Sequence, residues 1–332
     1  MPTPAPNPES TIESLADRYV YFFGPFRFDS EIRIPELENL PSTSSDPRPV
    51  RIRLGGVPAV LDHAQPYGNF AQVARTEYLL DARGTARYYV RDGSEVRVDF
   101  APGTPIADVS TYLLGSVFGA LCHQNGFLPL HASAVEREGV VIAFLGESGA
   151  GKSTLAACLQ RRGHRIVADD ICLLEPAGSG TGPLRVIPVA GWLKLWNESL
   201  EHLGETPEEQ HRVFSTDDKF RLYLPAAKSS AQVSARQLAR VVFLEKADPA
   251  SPIQPTLQPL DPPTAIASLM NMTYAPYIPA LSGQDARAFR QCARVFRHAQ
   301  AYRLIIPWGL DRIDQVLDLL ERDLFRPFDS RI

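Results

Sequence analysis

The sequence predicts a mixed α/β protein in two parts: a β-rich N-terminal domain over residues 11–125 and an α/β domain over residues 126–332. Three observations lead to this prediction. Strand-like alternation recurs in the first part, in "VRIRLGG" and "ARYYVRDGSEVRVDF". An apolar helical stretch closes that part, and a strand, a glycine-rich loop and a helix open the second. Residues 1–10, which are polar and proline-rich, are expected to be disordered.

The composition is that of an ordinary globular protein, with 332 residues, 44% hydrophobic and 22% charged. A net charge of -4 argues against general affinity for nucleic acid, which calls for a basic face. The N-terminus lacks the pattern of a signal peptide, and no apolar run approaches the roughly 18 residues of a membrane span. The four cysteines form no CxxC pair, so we expect neither a disulfide framework nor a zinc site. We therefore predict a cytoplasmic protein with no nucleic-acid or membrane partner.

In the N-terminal part, two alternating runs flank Asp92-Gly93, a sequence typical of a hairpin turn. From Pro105 to Asn125 the pattern is apolar on most faces, with proline near its start and Gly126 after its end. These features predict a helix that is buried, against the next domain.

In the second part, "LPLHASAV", "VVIAFLG" and "RIVADDICLLE" are predicted strands, and "KSTLAACLQRR" is a predicted helix. Later strands are predicted at "LRVIPV", "KFRLYLP", "LARVVFLEK" and "YRLIIP", and a mobile loop at "AAKSSAQVSAR". "NESLEHLG" predicts a short helix with Asn197 as its N-cap and Gly204 as its C-cap. Two further helices are predicted around Gln284–His298 and Leu310–Leu324.

Residues 146–153, "GESGAGKS", fit the Walker A pattern G-x-x-x-x-G-K-[ST], with a strand before the loop and a helix from Lys152. Backbone N–H groups of such a loop and the helix N-terminus bind phosphate oxygens. Lys152 would reach the β- and γ-phosphates, and the Ser153 hydroxyl would ligate Mg²⁺. The predicted nucleotide-binding residues are Gly146, Glu147, Ser148, Gly149, Ala150, Gly151, Lys152, Ser153 and Thr154. The loop predicts an ATP or GTP site.

Asp169 and Asp170 end the apolar strand "RIVA". Adjacent carboxylates repel each other and favour no core. Because successive strand residues point to opposite faces, one carboxylate could hold the metal ion while the other takes the proton of an acceptor hydroxyl. The alternative is a strand end whose acids are simply solvated.

Three further sets of side chains are candidates. His131 lies on a strand expected beside the loop strand, so its imidazole would approach the phosphates, unless it is a structural histidine. Lys219 and Arg221 lie two apart on a predicted strand and could clamp transferring phosphate, or form a solvated face. Trp192 and Trp196 lie four apart, a helical spacing more typical of core than of ligand stacking.

The ordered set "LHASAV", "GESGAGKS" and "RGHRIVADD", within residues 128–175, resembles the catalytic domain of HPr kinase/phosphorylase. The resemblance implies a P-loop kinase domain of the type shared with phosphoenolpyruvate carboxykinases, with ATP and Mg²⁺ as cofactors. That family tends to form rings, which implies a possible homo-oligomer.

The resemblance also implies roles for single residues. Lys152 would neutralise the transferring phosphate, and Ser153 would hold Mg²⁺. Asp170 would be the catalytic proton acceptor, and Asp169 would be its catalytic partner, either as a metal ligand or as a support. His131 would be an active-site residue.

The sequence departs from that family downstream of the aspartates, where "PVAGWLKLWNESLEHLG" stands in place of an "RGLG"-type signature. HPr is therefore not the expected acceptor, and the reverse reaction is in question. The β-rich N-terminal part and "KLW" before a short helix resemble lasso-peptide kinases, which phosphorylate the C-terminal serine of a precursor peptide. The leading hypothesis is an ATP-dependent serine kinase acting on a precursor peptide. The alternatives are a kinase for a free alcohol such as serine and a non-catalytic nucleotide-binding regulatory or assembly protein.

Overall fold

The computed structural model describes residues 18–176, 182, 184–189, 191–207, 211–224, 236–248, 254–307 and 309–325. The prediction of disorder over residues 1–10 lies outside these residues. So does the predicted mobile loop at 226–236, apart from Arg236.

One sheet accounts for the strands of the N-terminal region. These are β1 Tyr19–Phe23, β2 Phe26–Ser30, β3 Arg48–Leu54, β4 Gln65–Tyr67, β5 Ala71–Val73, β6 Glu77–Ala82, β7 Ala86–Arg91 and β8 Glu95–Phe100. Their order in the sheet is β1-β2-β3-β8-β7-β6-β5-β4. The predicted hairpin is confirmed, because Asp92 and Gly93 both have positive φ, 51° and 62°, as a type I′ turn requires.

The predicted apolar helix is also confirmed. It consists of α1 Ile106–Tyr112 and α2 Phe118–Gln124, joined by the π-helical turn Leu113–Val117. Contrary to the expectation from the sequence, the stretch Ile106–Gln124 reaches the length and mean hydropathy, 1.2, of a membrane span. However, 72% of it is buried inside the protein, which is typical of a core helix.

The remaining strands form two further sheets. They are β9 Leu128–Leu130, β10 Ala132–Arg137, β11 Val140–Leu145, β12 Arg165–Ala168, β13 Cys172–Leu174, β14 Arg185–Ile187, β15 Trp192–Trp196, β16 His211–Arg212, β17 Lys219–Tyr223, β18 Arg236–Lys246, β19 Thr256–Pro259 and β20 Gln300–Ile306. The large sheet runs β12-β10-β11-β18-β14-β13-β9, with β20 beside β18 and β19 beside β20. Within it β11, β18 and β20 are parallel. The small sheet has the order β15-β17-β16.

The second part also contains the helices α3 Lys152–Arg161, α4 Asn197–His202, α5 Pro262–Asn271, α6 Tyr277–Leu281, α7 Asp285–Val295 and α8 Ile313–Asp323. The mixed α/β class is therefore confirmed. The N-cap prediction for α4 is wrong, because Trp196 holds that position and Asn197 is the first helical residue. The Asn197 amide instead donates to Glu201 one turn later. The C-cap prediction is wrong by one residue, because Leu203 holds that position and Gly204, with φ 67°, follows it.

The hydrophobic core under the first sheet extends across the predicted domain boundary. It includes Ile171, Val189 and Trp192 from the second part, and Phe23 stacks on Trp192 with ring centroids 5.7 Å apart. The boundary between residues 125 and 126 stays a prediction, but the regions on either side of it share one core.

A buried ion pair joins the two regions. Arg221 Nη2 on β17 lies 3.3 Å from Glu36 Oε1, and the two side chains are 2% and 4% exposed. Arg221 also donates to the Thr111 hydroxyl and to the carbonyl of Arg212, while the Ser110 hydroxyl donates to Glu36. Strand β17 is thus fixed against α1 and the segment that contains Glu36.

Removal of the Glu36 carboxylate tests this junction. In Glu36→Ala the Arg221 guanidinium stays buried without its counter-charge, so we expect a loss of about 3–5 kcal/mol in the free energy of unfolding, measured by urea denaturation. The control Glu38→Ala breaks the neighbouring Arg33–Glu38 pair, which is 40% and 32% exposed, and should cost about 0–1 kcal/mol. Equally small losses in both variants would contradict the assignment.

Candidate functional site

The phosphate loop follows the parallel strand β11 and leads into α3, as predicted. Gly149 and Gly151 have φ of 79° and 94°, a left-handed backbone that favours glycine. A Cβ on Gly146 would lie 3.0 Å from the carbonyl oxygen of Leu244, so a side chain does not fit there. The loop therefore places backbone N–H groups at the positive end of α3, where phosphate binds readily.

The Lys152 ammonium folds back over this loop. Its Nζ donates to the carbonyl oxygens of Gly146, at 2.7 Å, and of Glu147, at 3.0 Å. Burial lowers the pKa of Lys152, against an opposing effect of the nearby aspartates. The Thr154 hydroxyl is hydrogen-bonded to Ser199 on α4, at 2.8 Å, so this side chain already has a partner within the protein.

The predicted strand "RIVADDICLLE" is broken at the aspartate pair. β12 ends at Ala168, and β13 begins at Cys172 in a different part of the large sheet. Between them Asp170 has φ 66°, a left-handed conformation that costs a residue other than glycine about 1–2 kcal/mol. The N–H of Ile171 donates to the carbonyl of Asp169, at 2.8 Å, and closes the turn. The two carboxylates therefore do not alternate as on a regular strand.

The Asp169 carboxylate is buried, and three donors surround it. It accepts hydrogen bonds from the Ser133 hydroxyl, at 2.6 Å, and from the backbone N–H of Lys194, at 2.8 Å. Burial raises the pKa of Asp169, and the hydrogen bonds from Ser133, Lys194 and Ser153 oppose that rise. Ser153 and Asp169, the predicted metal ligands, are thus neighbours.

Asp170 forms an ion pair with Lys194, in which Oδ2 and Nζ lie 2.6 Å apart and the side chains are 19% and 9% exposed. Burial alone would raise the pKa of Asp170. The charges of Lys194 and Lys219, together with that of His131 in its protonated form at low pH, outweigh it and hold that pKa well below its ordinary value. The carboxylate is therefore ionised at neutral pH, and Lys194 sets its direction.

Lys194 is the functional residue that the sequence analysis missed. The spacing of four between Trp192 and Trp196 is typical of a helix, but the structure places both on strand β15. Because side chains two apart on a strand point to the same side, Lys194 shares their face. Lys194 lies opposite Arg221 on β17, and Trp196 lies opposite Lys219. The alternation W-x-K-x-W was the available signal, since a lysine within an apolar strand needs a carboxylate partner.

The prediction that His131 lies on a strand is wrong, because "LPLHASAV" is divided into β9 and β10 and His131 lies between them. The strand that follows it, β10, does pair with the loop strand β11, as predicted. Its backbone N–H donates to the carbonyl of Met272, at 2.9 Å. Burial lowers the pKa of His131 to about 4, although Asp170 opposes the shift. The imidazole at the site is therefore neutral at neutral pH.

The two residues of the predicted phosphate clamp, Lys219 and Arg221, have different partners in the structure. Lys219 influences the pKa of Asp170, of His131 and of Lys152, and its Nζ lies 5.5 Å from the ring centre of Trp196. The prediction for Arg221 is wrong. Its guanidinium is directed to Glu36 and Thr111 because the N-terminal region covers that end of β17.

Within the described part of the chain, no group of three or more His, Cys, Asp or Glu side chains forms a metal cage. Mg²⁺ does not need such a cage, because it is commonly held by one or two carboxylates, phosphate oxygens and water. The adjacent oxygen donors of Ser153 and Asp169 fit that requirement. The metal site stays a prediction.

Comparisons with known proteins agree with the motif resemblance over short segments. No family model matches the chain. The chain is similar to HPr kinase/phosphorylase of Chlorobium phaeobacteroides strain BS1, 45% identical over 51 residues, or 15% of each protein. It is also similar to the HPr kinase/phosphorylases of Prosthecochloris aestuarii, 46% identical over 75 residues (23% of this chain, 19% of the relative), and of Lactobacillus delbrueckii subsp. bulgaricus, 39% identical over 74 residues (21% and 23%). The matched segments thus span less than a quarter of these relatives.

A solved structure with partial similarity is the HPr(Ser) kinase/phosphatase from Coxiella burnetii. It is 14% identical, has a TM-score of 0.32, and the match covers 58% of this chain and 95% of that protein. This structural likeness is too weak to support an argument about the site. The similarity to HPr kinase/phosphorylases, indicated by the motifs, is confirmed in sequence over the short segments alone.

The low pKa of His131 can be measured by NMR. Its imidazole C–H signals, assigned with His131→Gln, should titrate near pH 4, against about 6.5 in an unfolded chain. Because the unfolded state binds the proton more tightly, this histidine favours folding fully above about pH 6.5, and that contribution is lost as the pH falls towards 4. Titration of the folded protein near pH 6.5 would contradict the burial of His131.

Proposed function

We propose that this chain is an ATP-dependent phosphotransferase that moves the γ-phosphoryl group of ATP to a serine hydroxyl. The observation that supports the proposal most strongly is the placement of Asp170. This carboxylate is ionised, is held by Lys194, and lies next to the Ser153–Asp169 pair at the start of α3. The sequence similarity to HPr kinase/phosphorylases supports the same class of reaction.

In this proposal the loop and the N-terminus of α3 hold the phosphates. Lys152 leaves the carbonyl oxygens of Gly146 and Glu147 and contacts the β- and γ-phosphates, which are stronger partners for an ammonium group. Ser153 and Asp169 would hold Mg²⁺, which supplies positive charge that neutralises the phosphate oxygens when it is bound. The Ser133 hydroxyl and the Lys194 N–H keep the Asp169 carboxylate in place for that role.

Asp170 orients the acceptor hydroxyl and takes its proton. A carboxylate of low pKa is a weak base, but phosphoryl transfer passes through a loose transition state in which positioning and electrostatics contribute most. Lys194 and Lys219 stabilise the negative charge that develops on the transferring group. The neutral His131 contributes a hydrogen-bonding imidazole rather than a further cation.

A peptide is the acceptor that we favour. Trp196 and Tyr223 lie on the face of β15 and β17 that carries Lys194, and they are 45% and 39% exposed. Exposed aromatic rings on the face that carries Lys194, the partner of Asp170, suit an extended substrate better than a free amino acid. The sequence resemblance to lasso-peptide kinases favours a precursor peptide whose serine is phosphorylated.

A homo-oligomer and a cytoplasmic location, both expected from the sequence, belong to the same proposal. All four cysteines are free and buried, which is consistent with a reducing compartment.

Transfer of labelled γ-phosphate tests the reaction. The wild-type chain is expected to label a serine-ended peptide more efficiently than free serine. Asp170→Asn and Lys152→Ala should each lower kcat by about 10²–10⁴-fold, the usual effect of losing a positioned catalytic group. The control Arg161→Ala, at the exposed end of α3, should transfer at the wild-type rate. Nucleotide binding without transfer to any serine acceptor would favour the regulatory alternative, and normal transfer by both site variants would exclude this mechanism.

Replacement of Lys194 tests the ion pair itself. Lys194→Met leaves Asp170 without the partner that sets its direction, so kcat should fall about 10²-fold, as expected when a reacting group is misplaced by about 1 Å. The Kd for ATP, measured by calorimetry, should change little, because Lys194 does not belong to the phosphate loop. Lys194→Arg keeps the charge and should recover part of the rate. An unchanged kcat in Lys194→Met would show that the ion pair has no part in transfer.

A further inference from the structure

The tyrosine that follows α5 lies against the strand that leads to His131. The N–H of Tyr274 donates to the carbonyl of Pro129, at 2.8 Å, and the N–H of His131 donates to the carbonyl of Met272, at 2.9 Å. Leu130 and Thr273 form an isolated antiparallel bridge between these bonds. The backbones that carry the tyrosine and the histidine are therefore held in a fixed register.

The two side chains are stacked. The rings of Tyr274 and His131 are nearly parallel, with centroids 5.6 Å apart and planes 15° apart. Within the described part of the chain, the His131 ring has no hydrogen-bond partner. Its observed ring contact is the stacking on Tyr274, which restrains the orientation of the imidazole.

The helix formed by α1, the π-helical turn and α2 holds this tyrosine through three residues spaced by four. A Cβ on Gly115 would lie 2.9 Å from the Tyr274 hydroxyl, and a Cβ on Gly119 would lie 2.8 Å from its ring atom Cδ1. The His123 ring donates from Nε2 to the carbonyl oxygen of Tyr274, at 2.8 Å. Because residues four apart lie on one side of a helix, these three form a single stripe.

The glycines of this stripe are informative because both lie in the helix interior against the Tyr274 side chain. Glycine weakens a helix interior, so two of them on one side need a packing reason. The close approach of the Tyr274 ring supplies it: any side chain at Gly119 would displace the ring, and any side chain at Gly115 would displace the hydroxyl.

We propose that Tyr274 is a positioning residue that fixes the His131 imidazole beside Asp170, and that the stripe Gly115, Gly119 and His123 holds Tyr274 in place. This inference rests on the proposed function in one respect: it takes His131 to have a part in phosphoryl transfer. The helix from the N-terminal region thereby becomes a support of the active site, through its contacts with Tyr274.

A double-mutant comparison tests the stripe, because the two glycines meet different parts of the same side chain. Gly119→Ala and Gly115→Ala should each lower kcat about 10-fold, with an unchanged Kd for ATP. Both substitutions favour the helix intrinsically, so melting temperatures are expected to stay close to that of the wild type. The same two substitutions are then made in a Tyr274→Phe protein, and each double variant is compared with Tyr274→Phe alone. There Gly115→Ala should no longer lower kcat, because the hydroxyl that it would displace is absent. Gly119→Ala should still lower it. If Tyr274→Phe removed the fall in kcat caused by both glycine substitutions, or by neither, the assigned contacts would be wrong.

A second readout does not depend on transfer activity. The stacked tyrosine exerts a ring-current shift on the His131 imidazole signals, so Tyr274→Leu and Gly119→Ala should move those signals in the NMR spectrum. If the wild-type chain transfers no phosphate, the proposed function fails while this spectrum still reports the position of His131. Unmoved His131 signals in both variants, or moved signals with a wild-type kcat, would overturn the positioning role of Tyr274.

Discussion

The ion pair between Asp170 and Lys194 is the interaction on which the site depends. Both side chains are largely removed from water, so each charge requires the other. The same lysine holds Asp169 through its backbone N–H, so that one residue of β15 fixes both carboxylates. This arrangement also maintains the left-handed backbone at Asp170, a conformation that persists only where its surroundings enforce it. The turn between β12 and β13 is thus held by β15 as well as by its own hydrogen bond from Ile171 to Asp169.

Two junctions connect this site to the N-terminal region. The buried Glu36–Arg221 pair fixes β17, which lies beside β15 and carries Lys219 at its other end. The glycine stripe of the apolar helix receives Tyr274, which stacks on His131. Since both junctions are buried, the first sheet cannot shift without disturbing residues around Asp170. The N-terminal region therefore acts as part of the scaffold of the site.

Sequence reasoning succeeded where the signal is local. The hairpin at Asp92-Gly93, the strand–loop–helix arrangement before Lys152 and the two C-terminal helices follow from turn chemistry, a contiguous motif and periodicity. It failed where a distant contact decides the outcome. The strand through Asp169 and Asp170 is interrupted, although its apolar pattern continues on both sides. Lys219 and Arg221 lie two apart on one strand, so the sequence does not distinguish their roles. In the structure Arg221 pairs with Glu36 instead of contributing to the phosphate site.

The sequence by itself determined the mixed α/β class, the position of the phosphate loop and the presence of carboxylates and a histidine suited to it. Each of these depends on residues that are neighbours in the chain. Only the tertiary structure decided which cation reaches Asp170, which hydroxyls reach Asp169 and what orients His131. Those partners come from β10, β15 and the segment after α5, and their burial makes the contacts obligatory. Buried charged and aromatic side chains need contacting partners in the folded protein, and the local sequence does not specify partners that are distant in the chain.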